Sequence, residues 1–269
     1  MGFNLFSKAT NGNKAAGPPG ERILAELKSS RVKSWDAQVA VVESLAELKD
    51  AKDVELCQPA VRPLLKLLKA EQPERCQKAA ALAIQNLTAS CTASVAFLAK
   101  NKWQRKAVFR LMCITASGAP STQATAAKAL QSIAALGDNA RLQIALSGAP
   151  KILVSILSND DGETDGRSKA ERQEAAARCL REIAVNPSAC RLLDGSDVHA
   201  ALSALLTSEH TAPVQEAAAW ALCTIACSPD QQARLMAPDG GIRELVCLIR
   251  DGSPAADAAV WVLHNLCAA

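Results

Sequence analysis

The sequence has no tyrosine, and aromatic residues make up only 3% of it. That excludes sandwiches and RNA-binding sheets built on aromatic strands. No apolar run reaches the roughly 18 residues that a membrane-spanning helix needs. Charge of one sign is also lacking: 30 Lys and Arg face 27 Asp and Glu, a formal net charge of +3. So small an excess does not coat a surface for nucleic acid. The chain contains no CxxC pair, no GxSxG, no HExxH and no glycine-rich phosphate loop. The common nucleophilic, metal-dependent and nucleotide chemistries therefore have no residues to rest on, and no catalytic residue, metal or cofactor is expected. The three histidines, His199, His210 and His264, are isolated in sequence.

What is present is apolar and helix-forming. Apolar residues are 49% of the chain and charged residues 21%, enough to bury a sizeable core. Alanine, the best helix former, is the commonest residue. Ten cysteines are scattered without metal-ligand spacing, and Cys223 and Cys227 share a helical face without two further ligands beside them. They read as small buried hydrophobes of a reducing compartment, and a cytoplasmic location is expected. Residues 1–20 are rich in Gly, Asn and Pro and read as a flexible tail.

From there the sequence repeats. One segment recurs as VAVVESLAEL (39–48), KAAALAIQNL (78–87), ATAAKALQSI (124–133), EAAARCLREI (174–183), EAAAWALCTI (216–225) and DAAVWVLHNL (257–266). Each has apolar residues at helical spacing, with alanine where helices approach closely. A second segment recurs between them as VRPLLKLL (61–68), RKAVFRLM (105–112), PKILVSIL (150–157), VHAALSAL (198–205) and IRELVCLI (242–249), one buried stripe of a short helix in each case. Gly-containing breaks precede three of these, and a third short helical stretch such as NARLQIAL (139–146) or QQARLM (231–236) precedes the break. The unit is thus three helices in about 40 residues. One unit cannot bury its apolar face alone, so stacking is required. The expected fold is all-α, a solenoid of about five three-helix repeats forming one domain over residues 21–269. Third helices are expected near 37–48, 76–88, 123–135, 172–184, 214–226 and 255–267. An acidic loop is expected to be inserted at 158–169, where the repeat interval lengthens.

The stretches PVQEAAAWALCTIA (213–226), SPAADAAVWVLHNLC (253–267) and GGIRELVCLI (240–249) resemble the armadillo repeat family, with HEAT repeats as the near alternative. The resemblance implies a right-handed superhelix whose third helices line a concave groove, where an Asn clamps a bound peptide backbone and a Trp beside it forms a slot. In this sequence the Asn position reads Glu47, Asn86, Ser132, Glu182, Thr224 and Asn265, and the Trp position reads Glu43, Leu82, Lys128, Arg178, Trp220 and Trp261. An amide offers donor and acceptor together, which suits a peptide unit. Only the last repeat has both Trp and Asn. The function so implied is a scaffold or adaptor that binds a segment of another protein along this groove. The alternative is a structural subunit of a cytoskeletal, ciliary or organellar assembly that uses its ends and convex face.

Two further surfaces stand out. Residues 1–110 carry 18 Lys and Arg against ten Asp and Glu, so the molecule is electrically polar along its axis. The sharpest basic stretch holds Lys100, Lys102, Arg105, Lys106 and Arg110 around Trp103; a lone aromatic gives no stacking platform, so nucleic acid is not the expected partner. At the other end Val260, Leu263 and Leu266 have no following unit in this sequence and are expected to form a second contact surface. Membrane attachment is expected only if Gly2 is acylated, and Phe6 stands where the acylation motif wants Ser or Thr.

Overall fold

The computed structural model describes residues 19–28, 35–46, 60–90, 101–158, 165–193, 197–226, 229–237 and 240–267. Among them lie fifteen helices: α1 (Pro19–Lys28), α2 (Trp35–Ala46), α3 (Val61–Leu67), α4 (Glu74–Ser90), α5 (Asn101–Ser117), α6 (Pro120–Ala134), α7 (Asp138–Leu146), α8 (Ala149–Ser158), α9 (Gly166–Ala184), α10 (Pro187–Arg191), α11 (Val198–Ala204), α12 (Ala212–Ile225), α13 (Pro229–Leu235), α14 (Ile242–Arg250) and α15 (Ala256–Cys267). No strand occurs among the described residues. The architecture is an α-solenoid.

Third helices form one continuous row, with α2 against α4, α4 against α6, α6 against α9, α9 against α12 and α12 against α15. Second helices form another, α3 against α5, α5 against α8 and α8 against α11. The third-helix row is packed on both flanks, and its sequence shows why it can be. Ala80, Ala81, Ala83, Ala126, Ala127, Ala129, Ala175, Ala176, Ala177, Ala218, Ala219 and Ala221 are fully buried. Side chains this small let helix axes approach to about 8 Å. Larger residues fill the space between the rows: Leu87, Ile133 and Ile225, the repeat-final positions, are buried, as are Leu64, Leu111 and Leu153 from the second helices. One core runs the length of the solenoid.

Buried glutamines join the two rows. The Nε2 of Gln77 donates to the Lys69 and Gln72 carbonyls at 3.0 and 3.1 Å. Gln173 donates to the Leu157 carbonyl at 3.1 Å, and Gln215 to the Thr207 carbonyl at 2.7 Å. Each sits near the start of a third helix and reaches carbonyls at or just beyond the end of the preceding second helix, where the helical ladder has run out; those of Lys69 and Thr207 also accept a backbone N–H. The sequence breaks work as turns. Pro120, Pro187 and Pro213 lie in first turns, where the missing N–H costs nothing. Asn186 and Asp165 cap α10 and α9, accepting from the Ala189 and Arg167 amides at 2.9 and 3.1 Å. Gly241 takes φ 91° between α13 and α14, a left-handed conformation that glycine adopts without strain.

Several boundaries differ from the sequence reading. Helix α1 begins at Pro19, inside the stretch read as a tail, because Pro19 serves as a helix start. The segment 158–169 read as a loop is helical at Ser158 and again from Gly166, where Asp165 caps α9; residues 159–164 and 1–18 lie outside the described residues. The second helix read at 105–112 is part of a single 17-residue helix, α5.

Candidate functional site

On α4, α6, α9, α12 and α15 the residue at the Trp position and the one three beyond it are both at least partly exposed on the same face. These pairs are Leu82 and Gln85, Lys128 and Gln131, Arg178 and Arg181, Trp220 and Cys223, and Trp261 and His264. Leu82 is 43% exposed and Trp261 53%. Stacking the helices lines these pairs up into a ladder across five units. Two recesses open along it. One, of about 670 Å³, is lined by Gln85, Thr88, Lys128, Gln131, Ser132 and Arg178 among others. The other, of about 270 Å³, lies between Gln131, Arg178, Arg181, Glu182, Glu216 and Trp220.

The chemistry of this face is amide, hydroxyl and cation in the middle and aromatic toward the C-terminal units. The Arg181 guanidinium lies over the Trp220 ring, 5.4 Å from its centroid, a cation–π contact between neighbouring third helices. Trp261 and His264 meet edge to face at 5.7 Å. Arg178 pairs with Glu174 at 2.8 Å. Burial pushes the Cys223 thiol up, against the opposing pull of the Arg181 charge and the Asn265 amide.

The described Asn-position residues are half-buried on the flank of the ladder; Ser132 and Glu182 line its recesses, and Asn86, Glu182 and Asn265 bond to a neighbouring unit. Asn86 donates its amide to the Leu45 carbonyl at 3.5 Å. Asn265 donates to the Cys223 carbonyl at 3.4 Å and accepts from Gln232 through its backbone carbonyl at 3.4 Å. Glu182 is held by Arg141, whose guanidinium reaches the Glu182 carboxylate at 2.7 Å and the Glu182 backbone carbonyl at 3.1 Å. Thr224 and Ser132 bond back to the carbonyls of Trp220 and Lys128. Trp220 and Trp261 stand on the open face; Glu47 lies outside the described residues. The sequence pattern placed Lys128 and Arg178 at the Trp position but passed over Gln85, Thr88, Gln131 and Arg181 as groove lining. Three-residue spacing from the Trp position was the signal that marks them.

In the basic stretch Arg105 and Lys106 are exposed on α5, and Arg110 donates to the Leu65 carbonyl of α3. Lys100 lies outside the described residues, and the side chains of Lys102 and Trp103 do as well. At the C-terminal helix Val260 is 50% exposed, while Leu263 and Leu266 pack partly against the core.

A row of stacked three-helix units presenting a ladder of side chains defines a helical-repeat protein of the α-solenoid class. Residues 54–89 match the family model of the armadillo/beta-catenin-like repeat. No curated protein matches the sequence. Among solved structures, an engineered protein is 27% identical with a TM-score of 0.80, covering 94% of this chain and 98% of that one. A designed armadillo repeat protein is 20% identical with a TM-score of 0.76, covering 91% and 99%. Another, in complex with the peptide (KR)4, is 19% identical with a TM-score of 0.74, covering 91% and 98%. The armadillo resemblance read from the repeats holds: this chain is an armadillo-type solenoid.

Proposed function

We propose that this protein is a non-catalytic interaction scaffold that holds an extended segment of a partner protein along its third-helix face. The supporting observation is the five-unit ladder of outward-facing side chains, with recesses where a chain's side groups seat. Amides at Gln85 and Gln131 suit peptide units of the bound segment, and the rings of Trp220 and Trp261 suit its apolar groups. The designed relative shows that an armadillo fold holds a peptide, there a basic one. Here Lys128 stands in the middle of the face beside Arg178, whose charge Glu174 already matches, so an unbroken run of lysine and arginine is not the match. A segment carrying a carboxylate at that point, with apolar groups toward Trp220 and Trp261, is.

A photo-reactive phenylalanine analogue placed at position 128 or 261 tests this. Irradiation in native extract should join partner peptides to both positions, and Trp220→Ser should abolish capture at 261. Capture from a probe at position 151, on the second-helix row, with none from 128 or 261 would refute the assignment of the face.

A further inference from the structure

The second-helix side carries its own surface, independent of the ladder. Helices α3, α5 and α8 lie side by side on it. Their sequences, VRPLLKL, NKWQRKAVFRLMCITAS and APKILVSILS, contain no Asp or Glu. Their described cations are Arg62, Lys66, Arg105, Lys106, Arg110 and Lys151, all exposed except Arg110, which is half-buried. The stripe is interrupted toward the C-terminus: α11 has no Lys or Arg, and α14 sets Glu244 between Arg243 and Arg250.

In the middle of the stripe the surface dips. A cleft of about 770 Å³ lies between α5 and α7, with Arg105, Lys106 and Arg110 on its rim and Phe109, Met112 and Leu146 in its walls. Phe109 is 61% exposed and Leu146 67%. The floor is fixed, because the Ser147 hydroxyl meets the Met112 sulfur at 3.3 Å and also donates to the Ile144 carbonyl at 2.6 Å. Arg110 is fixed as well through its bond to the Leu65 carbonyl. Neither Asp nor Glu lines the cleft. Two large apolar side chains standing in water side by side, ringed by charge of one sign, have the composition of an interface core with its polar rim.

We propose that this cleft is a second docking site, and that it takes an acidic protein segment which inserts a bulky apolar side chain between Phe109 and Leu146. The charge fixes the sign of the partner, since like charges opposite three cations are repelled. The shape selects a polypeptide over a bilayer: a recess admits one side chain, whereas a lipid surface needs apolar groups that stand proud of the charges. It also disfavours nucleic acid, because Phe109 is the one described aromatic in the cleft and bases stack on several. The site lies on the opposite row from the ladder, so both segments are accommodated at once.

A random peptide library displayed on phage and panned against the full chain tests the assignment. Enriched peptides should carry two or more carboxylates around a Leu, Met, Phe or Trp. Their affinity should fall about tenfold or more with Phe109→Ser and with the Arg105→Glu, Lys106→Glu pair, and should be unchanged with Trp220→Ser. Phe109, Arg105 and Lys106 are exposed, whereas Trp220 is half-buried against the core, so an unaltered melting curve is required of each variant to confirm intact folding. Enrichment of neutral or basic peptides would overturn the proposal. So would loss of binding with Trp220→Ser alone, which would place the peptide on the ladder. Charge-dependent sedimentation with phosphatidylserine vesicles, without acidic peptide enrichment, would overturn it in favour of a membrane.

Discussion

Replacing Gly241 by alanine separates two costs that usually arrive together. Gly241 has φ 91°, and a Cβ there would sit 2.4 Å from the Ser203 hydroxyl oxygen and 2.7 Å from its Cβ. The left-handed conformation costs an L-residue about 1–2 kcal/mol. Ser203 is buried, and its hydroxyl donates to the Gly240 carbonyl at 2.8 Å. Forcing it aside leaves that pair unmade, worth about 1–3 kcal/mol. The sum is about 2–5 kcal/mol, or roughly 5–15 °C of melting temperature for a domain of this size. Gly148 supplies the control: its φ is 86°, but a Cβ there meets nothing within 4 Å. Gly148→Ala should therefore cost only the conformational part, about 1–2 kcal/mol. Urea unfolding followed by far-ultraviolet circular dichroism measures both. Ser203→Gly in the Gly241→Ala background should recover part of the loss despite its own helix cost of about 1 kcal/mol. Equal destabilisation by the two alanines, or strict additivity in the double variant, would refute the contact argument.

The Arg141 staple gives a pH signature and a stability effect. Hydrogen bonds from Asn186 and then Arg141 hold the Asp138 carboxyl below its ordinary value of 3.8. A depressed folded pKa means the carboxylate's contribution is present above that value and is lost as pH falls below it. Acid unfolding of the Asp138→Asn variant should accordingly be less steep below pH 3.8 than that of the parent; superimposable acid limbs would count against the pairing. Arg141→Met leaves the half-buried Glu182 carboxylate without its partner and should lower stability by about 1–2 kcal/mol in urea. Thiol labelling provides a third check. Cys113 and Cys267 are exposed and should react with an aromatic disulfide reagent in the native state, whereas Cys179, fully buried and with its thiol pushed up by that burial, should react only on unfolding.

The third helices were legible because their apolar and alanine positions recur six times, and position in a repeat is stronger evidence than any single propensity. Their N-termini were less so. Helix α9 starts at Gly166, before the apolar pattern begins, since its first turn is polar and held by the Asp165 cap. The ladder was half legible. The family pattern drew attention to Asn86 and Asn265, but whether an amide faces a ligand or a neighbouring carbonyl depends on the rotation between units, and one sequence does not carry that angle. Gln77, Gln173 and Gln215 were passed over because a buried polar residue looks, in one dimension, like an exposed one. Only the geometry shows that their amides end the second helices.

The methyl-lined seams of the third-helix row have a consequence for mechanics. Alanine has no rotamer to change, so such a seam cannot repack to absorb an inserted atom. A single enlarged side chain at Ala127, Ala176 or Ala218 acts as a wedge, and the tilt it forces at one joint is carried rigidly to every unit beyond it. The far end then swings by an amount that grows with distance. Damage at a site remote from any partner would be felt as a mismatch between rungs that are themselves unaltered.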